Sequence, residues 1–144
     1  MPIGLYWPGP PSLRRGALAL VCLPGAISAR GRARGYLPAG RCASGTSPVG
    51  KQIAAIAGDE VELHEASLVV NGEILATSRL RSRDSLDRPL RHEQLGARRV
   101  DAGEIWLLGI DDNRSWDSRY FGPVPESSVI ASLRPIATFA LGQP

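Results

Sequence analysis

The single lysine of this chain is the first residue whose type suggests chemistry. Of the seventeen basic side chains among the 144 residues, sixteen are arginine and one is Lys51. Arginine stays protonated in proteins, whereas burial can turn a lysine into a base. A GC-rich coding sequence would explain why lysines are few, but not why one remains at the head of the apolar segment 52–57. Lys51 is therefore a candidate general base.

A second candidate group lies in the polar segment 112–125. Ser115, Asp117 and Arg119 recur there at a spacing of two, which on an extended chain would direct the three side chains to the same side. An aspartate beside an arginine can form a charge-assisted, hydrogen-bonded unit that fixes a loop. The pattern predicts either a structural staple or a direct contribution to catalysis, and both interpretations remain open.

The two cysteines, Cys22 and Cys42, lie twenty residues apart. There is no CxxC motif, and His64 and His92 are remote in sequence from both cysteines, so we expect no metal site. Two interpretations remain: a disulfide formed in an oxidising compartment, or a pair of buried free thiols.

Length and composition predict a single soluble domain, residues 1–144. Glycine (16 residues) and proline (12 residues) are more frequent than usual, and both disfavour helix interiors. The longest unbroken apolar run, Ala17–Leu23, is far shorter than the ~20 residues of a membrane-spanning helix.

Charge is distributed unevenly along the chain. Residues 1–50 hold six arginines and no acid, whereas residues 51–144 carry a net charge of −3. The basic half could face phosphate groups, or could simply be a solvated surface. Its aromatic residues Tyr6, Trp7 and Tyr36 are not interleaved with arginines as base-stacking platforms would be, so we expect no nucleic-acid partner.

The elements that must position the candidate residues are short strands. Asn71-Gly72 between two apolar runs predicts a β-hairpin, and Val61 and Leu63 alternate with acids as in a strand with one wet face. The fold class predicted is mostly β, with short helices and long irregular loops. The remaining predictions are an extended segment over 1–12, strands over 17–23, 52–57, 104–109 and 129–139, a short helix within 26–34, a solvated arginine-rich excursion over 76–99 and a polar loop over 111–125.

Three segments together resemble type I signal peptidases. The C-terminal conserved box of that family, D-N followed by S-x-D-S-R-x-x-G-x-V-P, stands here as Asp112 to Pro125. The Lys51 segment resembles the box that carries the catalytic lysine of the family. Pro2 to Tyr6 (P-I-G-L-Y) resembles conjugal-transfer signal peptidases of the TraF type, in which a catalytic serine and one apolar residue precede P-x-G-L-Y.

The resemblance implies a signal-peptidase/LexA-like β-fold and a serine endopeptidase with a Ser/Lys dyad and no cofactor. Lys51 would be the general base, and Ser115, Asp117 and Arg119 would position it. Met1, Pro2 and Ile3 would bind substrate. To act near pH 8, Lys51 needs a pKa well below the usual value of about 10.4, so we expect it to be largely buried among apolar side chains.

The resemblance also implies partners and a location. The substrate would be an exported, pilin-like precursor of a conjugation system. The catalytic domain, expected to be a monomer, would act at the membrane surface on the periplasmic side of a bacterial inner membrane. In that oxidising compartment, Cys22 and Cys42 are expected to form a disulfide with Cα atoms ~4.4–6.8 Å apart.

The nucleophile is the main departure from the family pattern. The resemblance places the catalytic serine immediately before Met1, and Ser12 lies beyond the matching segment. The chain as given is therefore expected to be inactive, whether through a misplaced start codon, fragmentation or gene decay. If the serine does precede Met1, the backbone of Met1 must lie within roughly 10 Å of the Lys51 side chain.

Two other classes of protein share part of this pattern. A LexA-type self-processing domain shares the Ser/Lys chemistry but would lack the S-x-D-S-R-x-x-G-x-V-P box. A non-catalytic basic binding module would use the arginines of the first fifty residues.

Overall fold

The computed structural model describes residues 3–109 and 114–139, with the side chains of Ile3, Thr138 and Phe139 left out of the description. It confirms the mostly β fold class. Neither α-helix in these residues is long and apolar enough to cross a membrane. The strands are β1 Ile3–Gly9, β2 Leu18–Val21, β3 Val49–Ile56, β4 Glu60–Leu63, β5 Leu68–Val70, β6 Glu73–Ile74, β7 Gly96–Arg99, β8 Glu104–Leu108, β9 Val124–Pro125 and β10 Val129–Phe139; the helices are α1 Gly25–Ala33 and α2 Ser118–Phe121.

The strands form two antiparallel sheets. One has six strands in the order β1-β10-β2-β3-β8-β9, and the other has four in the order β6-β5-β4-β7. Within the larger sheet β3 is an interior strand, so Lys51 faces Ala19 of β2, and the next residue, Gln52, pairs with Leu108 of β8. Ladder hydrogen bonds from both neighbours therefore fix the backbone that carries Lys51.

Strand β8 separates two hydrophobic cores. Ile105 and Leu107 point into a first core with residues of β2, α2 and β10, whereas Trp106 and Leu108 point into a second core with β4 and β5. Side chains alternate across a strand, so a strand buried on both faces reads as a continuous apolar run. That burial explains why the four residues that follow Glu104 in β8 are all apolar. The strand predicted there is confirmed.

The Asn71-Gly72 hairpin is confirmed and joins β5 to β6. Both turn residues have positive φ, 49° for Asn71 and 83° for Gly72, as a two-residue type I′ turn requires. The wet-faced strand is also confirmed, since Val61 and Leu63 are buried and Glu60 is exposed.

The segment 76–99 is solvated along its exposed strand β7, but it contains two buried polar residues, at which the prediction of a solvated excursion is wrong. Residues Gly96–Arg99 form strand β7, which pairs with β4. Ser78 and Asp84 are buried, with 2% and 7% of their surface exposed. Internal hydrogen bonds replace the contacts of these two side chains with water and so compensate for their burial.

The prediction of a polar loop over 111–125 is also wrong for part of its length. Residues Ser118–Phe121 form the buried helix α2, and Val124–Pro125 pair with β8 as β9. The helix is only one turn long, too short for hydrophobic periodicity to reveal it.

Cys22 and Cys42 form the predicted disulfide, with Cα atoms 5.6 Å apart. Cys22 directly follows β2, and Cys42 lies in the segment after α1. The bond therefore ties that segment to the sheet that carries Lys51.

We expect reduction of this disulfide to lower the free energy of unfolding by about 3 kcal/mol, because the cross-link limits the entropy of the unfolded chain. Urea denaturation with and without dithiothreitol measures the difference. A Cys22→Ser/Cys42→Ser double variant is the control and should not respond to reductant. Equal urea midpoints for the oxidised and reduced chain would contradict the prediction.

Candidate active site

Lys51 lies on the first-core face of β3. Two residues away on either side, Val49 and Ile53 belong to or pack against that core. The strand alternation therefore gives the lysine an apolar setting on its own face of the sheet. Lys51 is half-buried, so the expectation of a largely buried residue is met only in part.

The Lys51 side chain reaches a serine 64 residues further along the chain. Its Nζ donates a hydrogen bond of 2.5 Å to Ser115 Oγ. Ser115 lies in the connection between β8 and α2. The structure thus brings together two of the residues that the sequence analysis singled out.

Asp117 and Arg119 form an ion pair that is fully buried, with 0% of either residue exposed. The pair is bidentate: Arg119 Nε contacts Asp117 Oδ1 and Nη2 contacts Oδ2, each at 2.8 Å. Asp117 also accepts hydrogen bonds from the backbone N–H groups of Gly109 and Arg119. Its two oxygens therefore receive four donors, which compensates for the loss of water.

The Arg119 guanidinium connects this pair to Ser115. Its Nη2 donates to the Ser115 carbonyl oxygen at 3.2 Å, and its Nη1 donates to the Arg79 carbonyl oxygen at 2.9 Å. Through these bonds the ion pair holds the Ser115 backbone, whose side chain in turn contacts Lys51. The geometry favours a positioning role for Asp117 and Arg119.

Ser115, Asp117 and Arg119 come together, but not along the extended segment that their spacing predicts. The spacing of two suggested one extended segment, but Asp117 is the N-cap of α2 and Arg119 lies within that helix. The turn at Asp117 folds the Arg119 side chain back towards Ser115. The helix is anchored to the sheet because Ser118 Oγ accepts a hydrogen bond from the Leu107 N–H at 2.8 Å.

Tyr36 and Trp116, which the sequence analysis did not assign to the site, support Ser115 from the other side. The Trp116 ring contacts the rings of Tyr36 and Phe121, at centroid distances of 5.2 and 4.9 Å. Gly31 of α1 allows this packing, since a Cβ there would lie 2.8 Å from Trp116. Sequence alone carried no indication of these contacts, because Tyr36 and Trp116 are eighty positions apart.

Asp84 anchors this aromatic group. Its carboxylate accepts hydrogen bonds from the Tyr36 hydroxyl at 2.7 Å and from Arg88 Nε at 2.8 Å. Burial alone would raise the pKa of Asp84, but hydrogen bonds from Arg88, Tyr36 and Leu86 outweigh it and hold the pKa well below its usual range. Burial raises the pKa of Tyr36, and its hydrogen bond to Asp84 adds to that effect.

Several predicted site residues lie outside the described part of the chain. These are Met1 and Pro2 of the expected substrate-binding segment and Asp112 and Asn113 of the conserved box; of Ile3, only the backbone is described. The expected proximity of Met1 to Lys51 therefore stays a prediction. No group of three metal-ligating side chains occurs in residues 3–109 and 114–139.

The site thus combines an interior-strand lysine, a loop serine and a buried Asp–Arg pair. Residues 6–137 match the family described as signal peptidase, peptidase S26. The chain belongs to this family.

Within this family, the chain is similar to transfer proteins named TraF. A plasmid transfer protein TraF from Escherichia coli is 34% identical over 140 residues, which cover 96% of this chain and 79% of that protein. A conjugal transfer protein TraF from Agrobacterium tumefaciens is 35% identical over 125 residues, covering 86% of this chain and 69% of that protein. A crystal structure of signal peptidase I from Enterococcus faecalis V583 superposes with a TM-score of 0.50 at 22% identity, covering 88% of this chain and 100% of that one, and supports the fold.

Substitution of Asp117 by asparagine should lower the free energy of unfolding by about 3–5 kcal/mol, because it leaves the Arg119 guanidinium buried without a counter-charge. Urea denaturation measures the effect. Asp101→Asn, at an exposed position, is the matched control and should change stability by no more than about 0.5 kcal/mol. Similar losses for the two variants would refute the structural importance of the pair.

Asp84 should contribute stability that depends on pH. Since its pKa is lowered in the folded state, the contribution is present above the unfolded pKa of about 3.9 and is lost as the pH falls further. The difference in unfolding free energy between the wild type and Asp84→Asn should therefore be larger at pH 7 than at pH 3. Urea denaturation at both pH values tests this, and a constant difference would argue against it.

Proposed function

We propose that this chain is the catalytic region of a serine endopeptidase that uses a Ser/Lys dyad, with Lys51 as general base. The observation that carries the proposal is the hydrogen bond from Lys51 Nζ to Ser115 Oγ. Membership of the signal peptidase family supports it. The nucleophile is a serine that precedes Met1, as the resemblance of residues 2–6 implies.

The contact with Ser115 gives the lysine a defined orientation. A neutral amine has two N–H bonds and one lone pair, and an N–H directed at Ser115 Oγ restricts where the lone pair can point. The nitrogen of a general base must lie within about 2.6–3.2 Å of the oxygen whose proton it removes. Ser115 therefore selects the lysine rotamer, and the Asp117–Arg119 pair keeps Ser115 in place.

Lys51 shares its face of β3 with Val49 and Ile53, which belong to or pack against the first core. Removing a lysine from water disfavours the ammonium ion. A flexible lysine on an exposed loop would gain neither the desolvation nor the fixed orientation.

We further propose that the substrate is an exported, pilin-like precursor of a conjugative transfer system, cleaved at the membrane surface on the periplasmic side of the inner membrane. The names of the relatives, plasmid and conjugal transfer proteins, support the link to conjugation. The disulfide between Cys22 and Cys42 supports an oxidising compartment.

The proposal predicts how variants behave in a chain that carries a serine and its upstream segment ahead of Met1. Lys51→Arg should abolish cleavage of a pilin-like precursor, because a guanidinium keeps the charge but cannot accept the proton. Ser115→Ala should lower kcat by roughly 10–100-fold, the effect of losing one hydrogen bond to a charged or titrating group.

Cleavage of the precursor, followed by mass spectrometry of the products, provides the measurement. Arg99→Gln, an exposed position on β7, is the control and should retain full activity. The polypeptide that begins at Met1 serves as the control without the added serine. Cleavage by the Lys51→Arg variant at the wild-type rate would rule out the dyad.

A further inference from the structure

Two adjoining cavities lie beside the Lys51–Ser115 contact. The larger, of about 200 Å³, has Ser115 in its wall, and the smaller is about 50 Å³. They share the wall formed by Tyr36, Leu90 and Trp116, and we call the two together the arginine cleft. Five arginines line it: Arg30, Arg34, Arg81, Arg91 and Arg114.

The described walls of the cleft offer little compensating charge to Arg30, Arg81 and Arg91. Among the described residues, Asp84 is the one acid in its walls. That carboxylate already accepts hydrogen bonds from Tyr36 and Arg88 and lies 3.5 Å from Arg34. It has little capacity left to neutralise Arg30, Arg81 and Arg91.

Three of the lining arginines are available to a ligand. Within the described part of the chain, Arg30, Arg81 and Arg91 form neither an ion pair nor a side-chain hydrogen bond. Arg30 and Arg91 are exposed, and Arg81 is half-buried. Their guanidinium groups offer planar pairs of N–H donors that match the two oxygens of a carboxylate.

We propose that the arginine cleft binds a carboxylate-bearing segment of the peptide substrate next to the catalytic lysine. This inference rests on the proposed function, because Ser115 belongs both to the cleft wall and to the Lys51 contact. A peptide held at the dyad is therefore the molecule best placed to enter the cleft. The carboxylate can be an acidic side chain or the C-terminal group of the chain.

The shape of the cleft favours a peptide over a nucleic acid. Its two small cavities suit a side chain or a chain end, whereas single-stranded nucleic acids follow an extended basic groove with exposed stacking rings. Tyr36 and Trp116 pack against each other, and Trp116 also packs against Phe121. Tyr36 and Trp116 thus form walls of the cleft and support Ser115.

Calorimetric titration of the chain with short peptides tests the proposal without requiring peptidase activity. The probes are a blocked pentapeptide of alanine and glutamate, its glutamine counterpart, and a penta-alanine with a free C-terminal carboxylate. We expect the glutamate peptide or the free-carboxylate peptide to bind at least tenfold more tightly than the glutamine peptide, and to bind more weakly in high salt. Which of the two binds identifies the source of the carboxylate.

The combined substitution Arg81→Gln/Arg91→Gln should weaken this binding by about tenfold or more, since two charge-assisted contacts are lost. Arg91→Lys, which keeps the charge but not the paired donors, should have a smaller effect. Arg99→Gln on β7 is the matched control and should bind as the wild type does. An unchanged urea midpoint for each variant establishes that the fold is retained.

Equal binding of the glutamate, glutamine and free-carboxylate peptides would overturn the proposal, as would equal loss of affinity in Arg81→Gln/Arg91→Gln and Arg99→Gln. Tighter, arginine-dependent binding of a mixed-sequence oligonucleotide than of any peptide would also overturn it and assign the cleft to nucleic acid. If the peptides bind as expected while the serine-bearing chain cleaves nothing, the cleft proposal stands and the proposed peptidase function fails.

Discussion

The buried ion pair between Asp117 and Arg119 is the interaction on which the site depends. Removing two charges from water is costly, and a buried pair is tolerated only when hydrogen bonds satisfy its remaining donors and acceptors. Here the carboxylate receives four N–H groups, and the guanidinium also reaches the carbonyl oxygens of Ser115 and Arg79. Displacement of any of these segments would leave a buried charge or dipole without a partner, so the pair fixes all of them at once.

The Lys51–Ser115 hydrogen bond joins a strand of the larger sheet to a loop. The lysine comes from β3, an interior strand whose backbone is held by ladders on both sides. The serine comes from a loop, which is ordinarily the less rigid element. The loop is held by the ion pair behind it and by the packing of Trp116 against Tyr36 and Phe121. Both partners of the hydrogen bond are thus held in place by the fold, as the proposed catalytic role requires.

The segment 76–99 supplies three hydrogen-bonding groups that hold residues of the site in place. It supplies the Arg79 carbonyl that Arg119 contacts, the Arg81 N–H that donates to the Tyr120 hydroxyl, and the Asp84 carboxylate that holds Tyr36. Three of its arginines illustrate two different environments. Arg88 compensates the buried Asp84, whereas Arg81 and Arg91 line the cleft beside Ser115.

The sequence by itself determined the strands with clear apolar patterns, the Asn71-Gly72 turn and the residue types of the site. These follow from local chemistry: the turn needs two residues that tolerate positive φ, and a base needs a lysine rather than an arginine. The family resemblance then led from two cysteines to one disulfide. Only the tertiary structure decided that Asp117 caps a helix, that Arg119 holds Ser115 by its backbone, and that Asp84 and Tyr36 support Trp116. Those relations join residues that are far apart in the chain or hidden in a single helical turn, and the free energy of burying their charges is defined only once the surrounding residues are in place.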